Sequence, residues 1–102
     1  MKDSLHVAAL SADLHLPRVH SLKEKRAVLR PILDGCRHRY QVAAAEVGYQ
    51  DRWQRAGVGI ATVASGAALA SQVLDSVERF IWSFPEVEVI TMTRHWLEAG
   101  GP

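Results

Sequence analysis

Between Pro17 and Glu24 this chain must stop one kind of structure and begin another. Proline has no N–H to give to a sheet ladder, so Pro17 closes the extended run before it. Ser21 and Glu24 stand three apart at the head of an apolar periodicity. That is the spacing of a capping box, in which each side chain satisfies a backbone N–H of the other's residue. A strand-to-helix boundary is thereby fixed, and the remaining elements have to be arranged around it.

Upstream, residues 5–16 alternate as a strand does, with Leu10, Ala12, Leu14 and Leu16 on one face and Ser11, Asp13 and His15 on the other. The half over 5–10 is apolar on both faces apart from His6, which suits a central strand covered on both sides. Downstream, the helix is expected to run to about Arg39. Leu22, Leu29, Ile32, Leu33, Cys36 and Tyr40 give it a core stripe, and Lys23, Arg26, Arg30 and Arg37 a basic one. Pro31 conflicts with this helix, because it deletes the bond to the Ala27 carbonyl at a typical cost of ~3 kcal/mol. Gly35 weakens it by about a further 1 kcal/mol relative to alanine. The expectation is a bent helix held by packing, or else two short helices broken near Arg30.

Residues 41–48 and 56–65 read as the second and third strands, joined by a connection over 49–55. In the third, Gly57 and Gly59 make one face small, which marks close approach by another backbone, a helix or a ligand. A second helix follows Ser65, its expected N-cap, with Leu69, Val73, Val77, Phe80, Ile81 and Phe84 inward and Ser71, Asp75, Glu78 and Arg79 left for water. Pro85 stops it, 87–96 forms a fourth strand, and the end over 98–102 frays. The order βαββαβ folds, with right-handed crossovers, into a four-stranded antiparallel sheet with both helices on one face, the ferredoxin-like α+β arrangement. One such domain spans 1–102. The sheet face left without a helix is expected to be covered by a second copy of the chain.

Charge separates the two parts of the chain more than its total of +1 suggests. Residues 1–40 carry a net +4 and 41–102 a net −3. This gives no global case for nucleic acid but leaves one end attractive to phosphate or to an acidic partner. Cys36 is the single cysteine, so no internal disulfide forms, and its place on the apolar stripe makes it a small buried hydrophobe. No stretch approaches the roughly 18 apolar residues of a membrane span, and the N-terminal run is interrupted too early for a signal peptide. A cytoplasmic protein with no membrane partner is expected.

Several segments together resemble one family. They are His15-Leu16-Pro17, His20-Ser21-Leu22-Lys23-Glu24-Lys25-Arg26, Ala45-Glu46-Val47 followed by Asp51 and Trp53-Gln54-Arg55-Ala56, and Pro85-Glu86-Val87-Glu88-Val89. In this order and spacing they are similar to the YlxP-like family of small bacterial proteins. The resemblance implies a ferredoxin-like domain of unknown function, encoded in many bacteria near a translation initiation factor and a ribosome-binding factor. It carries over no catalytic residues. This chain departs from the commoner pattern at Gly48 and Tyr49, where a polar residue and often a histidine precede Gln50-Asp51.

The candidate contacts follow from both readings. Lys23, Lys25, Arg26, Arg30 and Arg37 form a basic helix surface suited to an RNA backbone, and His20 with the helix entrance suits an anion. The alternative is a capped, solvated helix face. Asp51, Arg52, Trp53, Gln54 and Arg55 put an aromatic and two arginines into one loop, either a partner contact or a cover for the core edge. Trp82 and Trp96 are expected to be packing residues. Asp13, His15 and His20 lack the spacing of a metal site, and no cofactor or small-molecule ligand is indicated. The first and third strands carry no aromatic for base stacking. Leu16-Pro17-Arg18-Val19-His20 has no glycine to turn amides inward as an acylphosphatase-like enzyme would require. The residues alone leave the biochemical function open; taken with the translation setting that the resemblance implies, they favour a non-enzymatic module bound to ribosomal RNA or a ribosomal subunit, with a homodimeric protein-interaction module as the rival.

Overall fold

The computed structural model describes residues 4–98. Its elements are β1 (His6–His15), α1 (Leu22–Tyr40), β2 (Ala43–Gly48), β3 (Arg55–Ala64), α2 (Ala67–Trp82) and β4 (Glu88–Glu98). The sheet order is β2-β3-β1-β4, every neighbouring pair antiparallel, which is the ferredoxin-like α+β fold. The frayed end expected over 98–102 falls, from 99 onward, outside the described residues.

β1 is an inner strand, as its two-sided apolar half implied. Ala8, Leu10, Ala12 and Leu14 are buried against the helices together with Ala56, Val58 and Ile60 of β3. From α1, Leu29, Ile32 and Cys36 enter this core, and from α2, Ala70, Leu74, Val77 and Ile81. Leu22 and Leu69, expected inside, are instead exposed, because each precedes the turn at which its helix meets the sheet. Burial pushes the Cys36 thiol up to about 11, against a smaller lowering by Arg37, so it sits in the core as a neutral hydrophobe.

α1 is one helix through Pro31. Both Pro31 and Ala27, whose carbonyl loses its bond, lie on the exposed side, where that carbonyl is open to solvent rather than buried without a donor. Gly35, read from sequence as a weakness, is a contact. A Cβ there would collide with Cζ of Phe80 on α2, and the Phe80 ring packs edge-on to Tyr40 and Phe84. The N-cap of α2 is Gly66 rather than Ser65, so the helix start has no side-chain cap. Its polar side is not left to water alone: Arg94 of β4 reaches Asp75, Glu78 and Ser71. Trp82 and Trp96 are 63% and 49% exposed, which corrects their reading as packing residues. Trp82 is the last residue of α2 and Trp96 lies near the end of β4, so neither reaches the layer between the helices and the sheet.

Among the described residues, no helix covers the opposite sheet face. Val7, Ala9 and Ser11 lie there beside Val63, Ala61 and Gly59 of β3, Leu97, His95 and Thr93 of β4, and Ala43 and Ala45 of β2. The small β3 face accommodates its own neighbours. A Cβ at Gly57 would lie 3.0 Å from the Gly48 Cα, and one at Gly59 3.1 Å from the Val47 side chain.

Gly35→Ala tests the helix contact. Propensity alone favours alanine by about 1 kcal/mol, but overpacking costs ~1–3 kcal/mol. The expected outcome of urea unfolding is a net loss of stability of about 1 kcal/mol, recovered when Phe80→Leu is added.

Candidate functional site

Lys25 occupies a position that its charge would seem to forbid. It stands four before Leu29 and seven before Ile32, on the core stripe of α1, and is 2% exposed. Burying an ammonium is tolerable only if every N–H finds an acceptor. Nζ donates to the Tyr49 and Arg52 carbonyls, each at 2.7 Å, and forms an ion pair with Glu46 Oε2 at 2.6 Å. Glu46 comes from the helix-facing side of β2, and the two carbonyls from the connection between β2 and β3. A single side chain thus fastens the first turns of α1 to that connection.

The connection is held elsewhere as well. The Arg52 N–H donates to the Tyr49 carbonyl, closing a turn, and Tyr49 adopts φ 56°. At its far end, the Gln54 side chain donates to the Pro17 and Val19 carbonyls, and the Leu16 N–H donates to the Gln54 carbonyl. Arg55 forms two bonds to the Asp13 carboxylate, donates to the Tyr49 hydroxyl, and lies 4.5 Å from the Tyr49 ring centroid. Its hydrogen bond to Asp13 raises the already high Arg55 pKa, so this cation is permanent but neutralised.

What the loop leaves free is Asp51, Arg52 and Trp53. Trp53 is 51% exposed, and the Arg52 guanidinium lies 5.9 Å from the Tyr49 ring with no carboxylate partner among the described residues. Together with His15, Gln54 and Arg55 they line an open depression of ≈ 520 Å³ at the end of the sheet. His15 is held at its rim by Glu88, 3.1 Å away.

A second depression runs between α1 and the outer strand β2, lined by Arg26, Leu29, Arg30, Leu33, Asp34, Arg37 and Glu46. Arg37 is committed to Asp34 and to the Ala44 carbonyl. Lys23, Arg26 and Arg30 are exposed and form no ion pair among the described residues. Lys25 departs from the sequence expectation: it is not part of the exposed basic surface, because it is buried beneath the loop. His20 is exposed, but its N–H donates to Glu24 Oε1, and the Ser21 hydroxyl accepts from the Glu24 N–H. The capping box therefore fills the helix entrance where an anion was considered. The turn after β1 likewise offers no phosphate cradle: the Leu16, Val19 and His20 amides are already bonded, and the Pro17 and Val19 carbonyls point to Gln54.

Sequence reading missed the support beneath this site. Lys25 was legible as a core-facing position from its spacing to Leu29 and Ile32, had its charge been set aside. Asp13 and Tyr49 carry no short-range signal linking them to Arg55. Gln54 was grouped with the contact residues, whereas its side chain serves the turn after β1.

Lys25→Met is expected to remove about 3 kcal/mol of stability, since it leaves the Glu46 carboxylate and two carbonyls without their donor. Adding Glu46→Gln returns part of that loss. Chemical denaturation of the two variants measures both, and amide exchange localises the loosening to residues 49–54.

Comparison with known proteins places the chain. The family profile described as "Protein of unknown function (DUF503)" matches residues 7–94. The chain is also 46% identical over 76 residues to "Uncharacterized protein YlxP" of Bacillus subtilis (strain 168), a match covering 74% of this chain and 83% of that protein. The segments that suggested the resemblance, from His15-Leu16-Pro17 to Val87-Glu88-Val89, lie within the matched region, and the chain belongs to the DUF503 family of YlxP-like proteins.

Proposed function

We propose that this chain acts as a single non-enzymatic binding module that engages RNA, in the setting of bacterial translation or ribosome maturation, through the exposed basic edge of α1. One observation carries the reading: Lys23, Arg26 and Arg30 are exposed, recur three and four apart on one helix, and have no carboxylate partner among the described residues, whereas Arg37, Arg55 and Arg94 are each neutralised by one or more. Cations that fold stability does not employ are suited to phosphates, which require spaced positive charge and little else. The gene neighbourhood implied by the family resemblance points the same way. Catalysis has less support, because the Leu16, Val19 and His20 amides of the turn after β1 are engaged and, among the described residues, no nucleophile stands beside a base in either depression.

Co-sedimentation with ribosomal subunits and free ribosomal RNA over a salt series tests this. Association that weakens steeply with salt, and that falls in a folded Arg26→Ala, Arg30→Ala variant, is the expected result. Wild-type binding by that variant, or no association at low salt, overturns it.

The open sheet face favours a second, compatible reading, a homodimer. Val47, Val63 and Leu97 are each exposed by 62% or more, around a floor of Ala9, Ala43, Ala45 and Ala61 that carries no charge. A two-fold interface must match itself, and the shallow patch of small residues does so without opposing like charges, the Asp13–Arg55 ion pair lying toward one end of the same face. Analytical ultracentrifugation should find a dimer whose dissociation is insensitive to salt and which Val63→Lys converts to monomer. A wild-type monomer across the concentration range removes the dimer.

A further inference from the structure

We propose that the depression at the end of the sheet is a nucleotide subsite, and that it joins the α1 groove into one track for single-stranded RNA, with phosphates along Arg30 and Arg26 and a base stacked on Trp53 beside Arg52. This rests on the RNA reading above and deepens it by naming the strandedness of the ligand and the place where a base sits.

The junction between the two depressions is the buried Lys25. Glu46 lines the α1 groove and contacts Lys25 Nζ at 2.6 Å, while the carbonyl of Arg52, which lines the other depression, contacts the same atom at 2.7 Å. The two hollows are thus separated by one shared support. Each presents a cation without a carboxylate partner among the described residues, Arg26 and Arg30 on one side and Arg52 on the other. Arg26 and Arg30 are one helical turn apart, so a strand lying along α1 meets both before reaching the loop.

The loop end has the character of a base site rather than of another phosphate site. Trp53 offers a half-exposed indole face, and indole stacking accepts any base. Asp51 lines the same hollow, and its carboxylate repels phosphate while accepting an N–H from a base edge. Arg52 is left to take the adjoining phosphate. The hollow is also pre-shaped, because Lys25, Gln54 and Arg55 hold the connection through seven hydrogen bonds before any ligand arrives. A base then orders few side chains on binding. Trp82 and Trp96 are equally exposed but line neither hollow. A duplex does not fit this arrangement, since its bases are stacked inside and cannot reach the indole.

The test uses the intact protein and fluorescein-labelled r(AC)4, free and annealed to its complement, read by anisotropy at two salt concentrations. Trp53→Ala is expected to weaken single-strand binding about 10-fold and Trp53→Phe far less, with the salt slope unchanged in both. Arg26→Ala with Arg30→Ala should instead lower the slope by about 1.4. Indole quenching on binding should vanish in Trp53→Phe. Equal binding of single strand and duplex, or an unchanged affinity in Trp53→Ala, overturns the subsite while leaving the basic helix as an RNA surface. No binding of any RNA overturns both.

Discussion

The ammonium of Lys25 is the fixed point of the end of the fold that carries the candidate site. A charge at a core-facing position is destabilising by itself, and it persists because Glu46 and the carbonyls of Tyr49 and Arg52 converge on it. Those acceptors come from a strand and a connection remote in sequence from α1. Satisfying one donor therefore dictates where the β2–β3 connection sits, how Tyr49 turns, and which side chains of that connection are left facing out. Arg55, Asp13 and Gln54 complete the placement from the sheet side.

The fold was legible because its boundaries are set by local chemistry. Pro17, the Ser21–Glu24 capping box and Pro85 fix element ends through groups a few residues apart, and alternation in β1 and β3 fixes which side faces the helices. The errors share one origin. Leu22 and Leu69 sit at helix starts, where periodicity continues but the neighbouring layer does not. Gly35 looked like a break because its partner, Phe80, lies on the other helix.

The candidate site was legible only as a set of residue types. The stripe of Lys23, Arg26 and Arg30 follows from helical spacing, and Trp53 with Arg52 from adjacency. Which arginines are already neutralised does not, since the partners Asp13 of Arg55 and Asp75 and Glu78 of Arg94 are brought in by strand register and helix docking. Lys25 shows the limit most clearly: residue type assigned it to the surface and spacing assigned it to the core. Spacing prevailed because the loop supplied the acceptors.

Both outer strands hold one residue more than their partners require. β2 shifts register between Glu46 and Gly48, leaving Val47 extra, and β4 shifts opposite Asp13 and Leu14, leaving Ile90 extra. A sheet edge with an unbroken row of N–H and C=O groups is a template on which further chains can grow. Here each edge is interrupted and locally twisted, so continued strand-by-strand growth is discouraged at both sides.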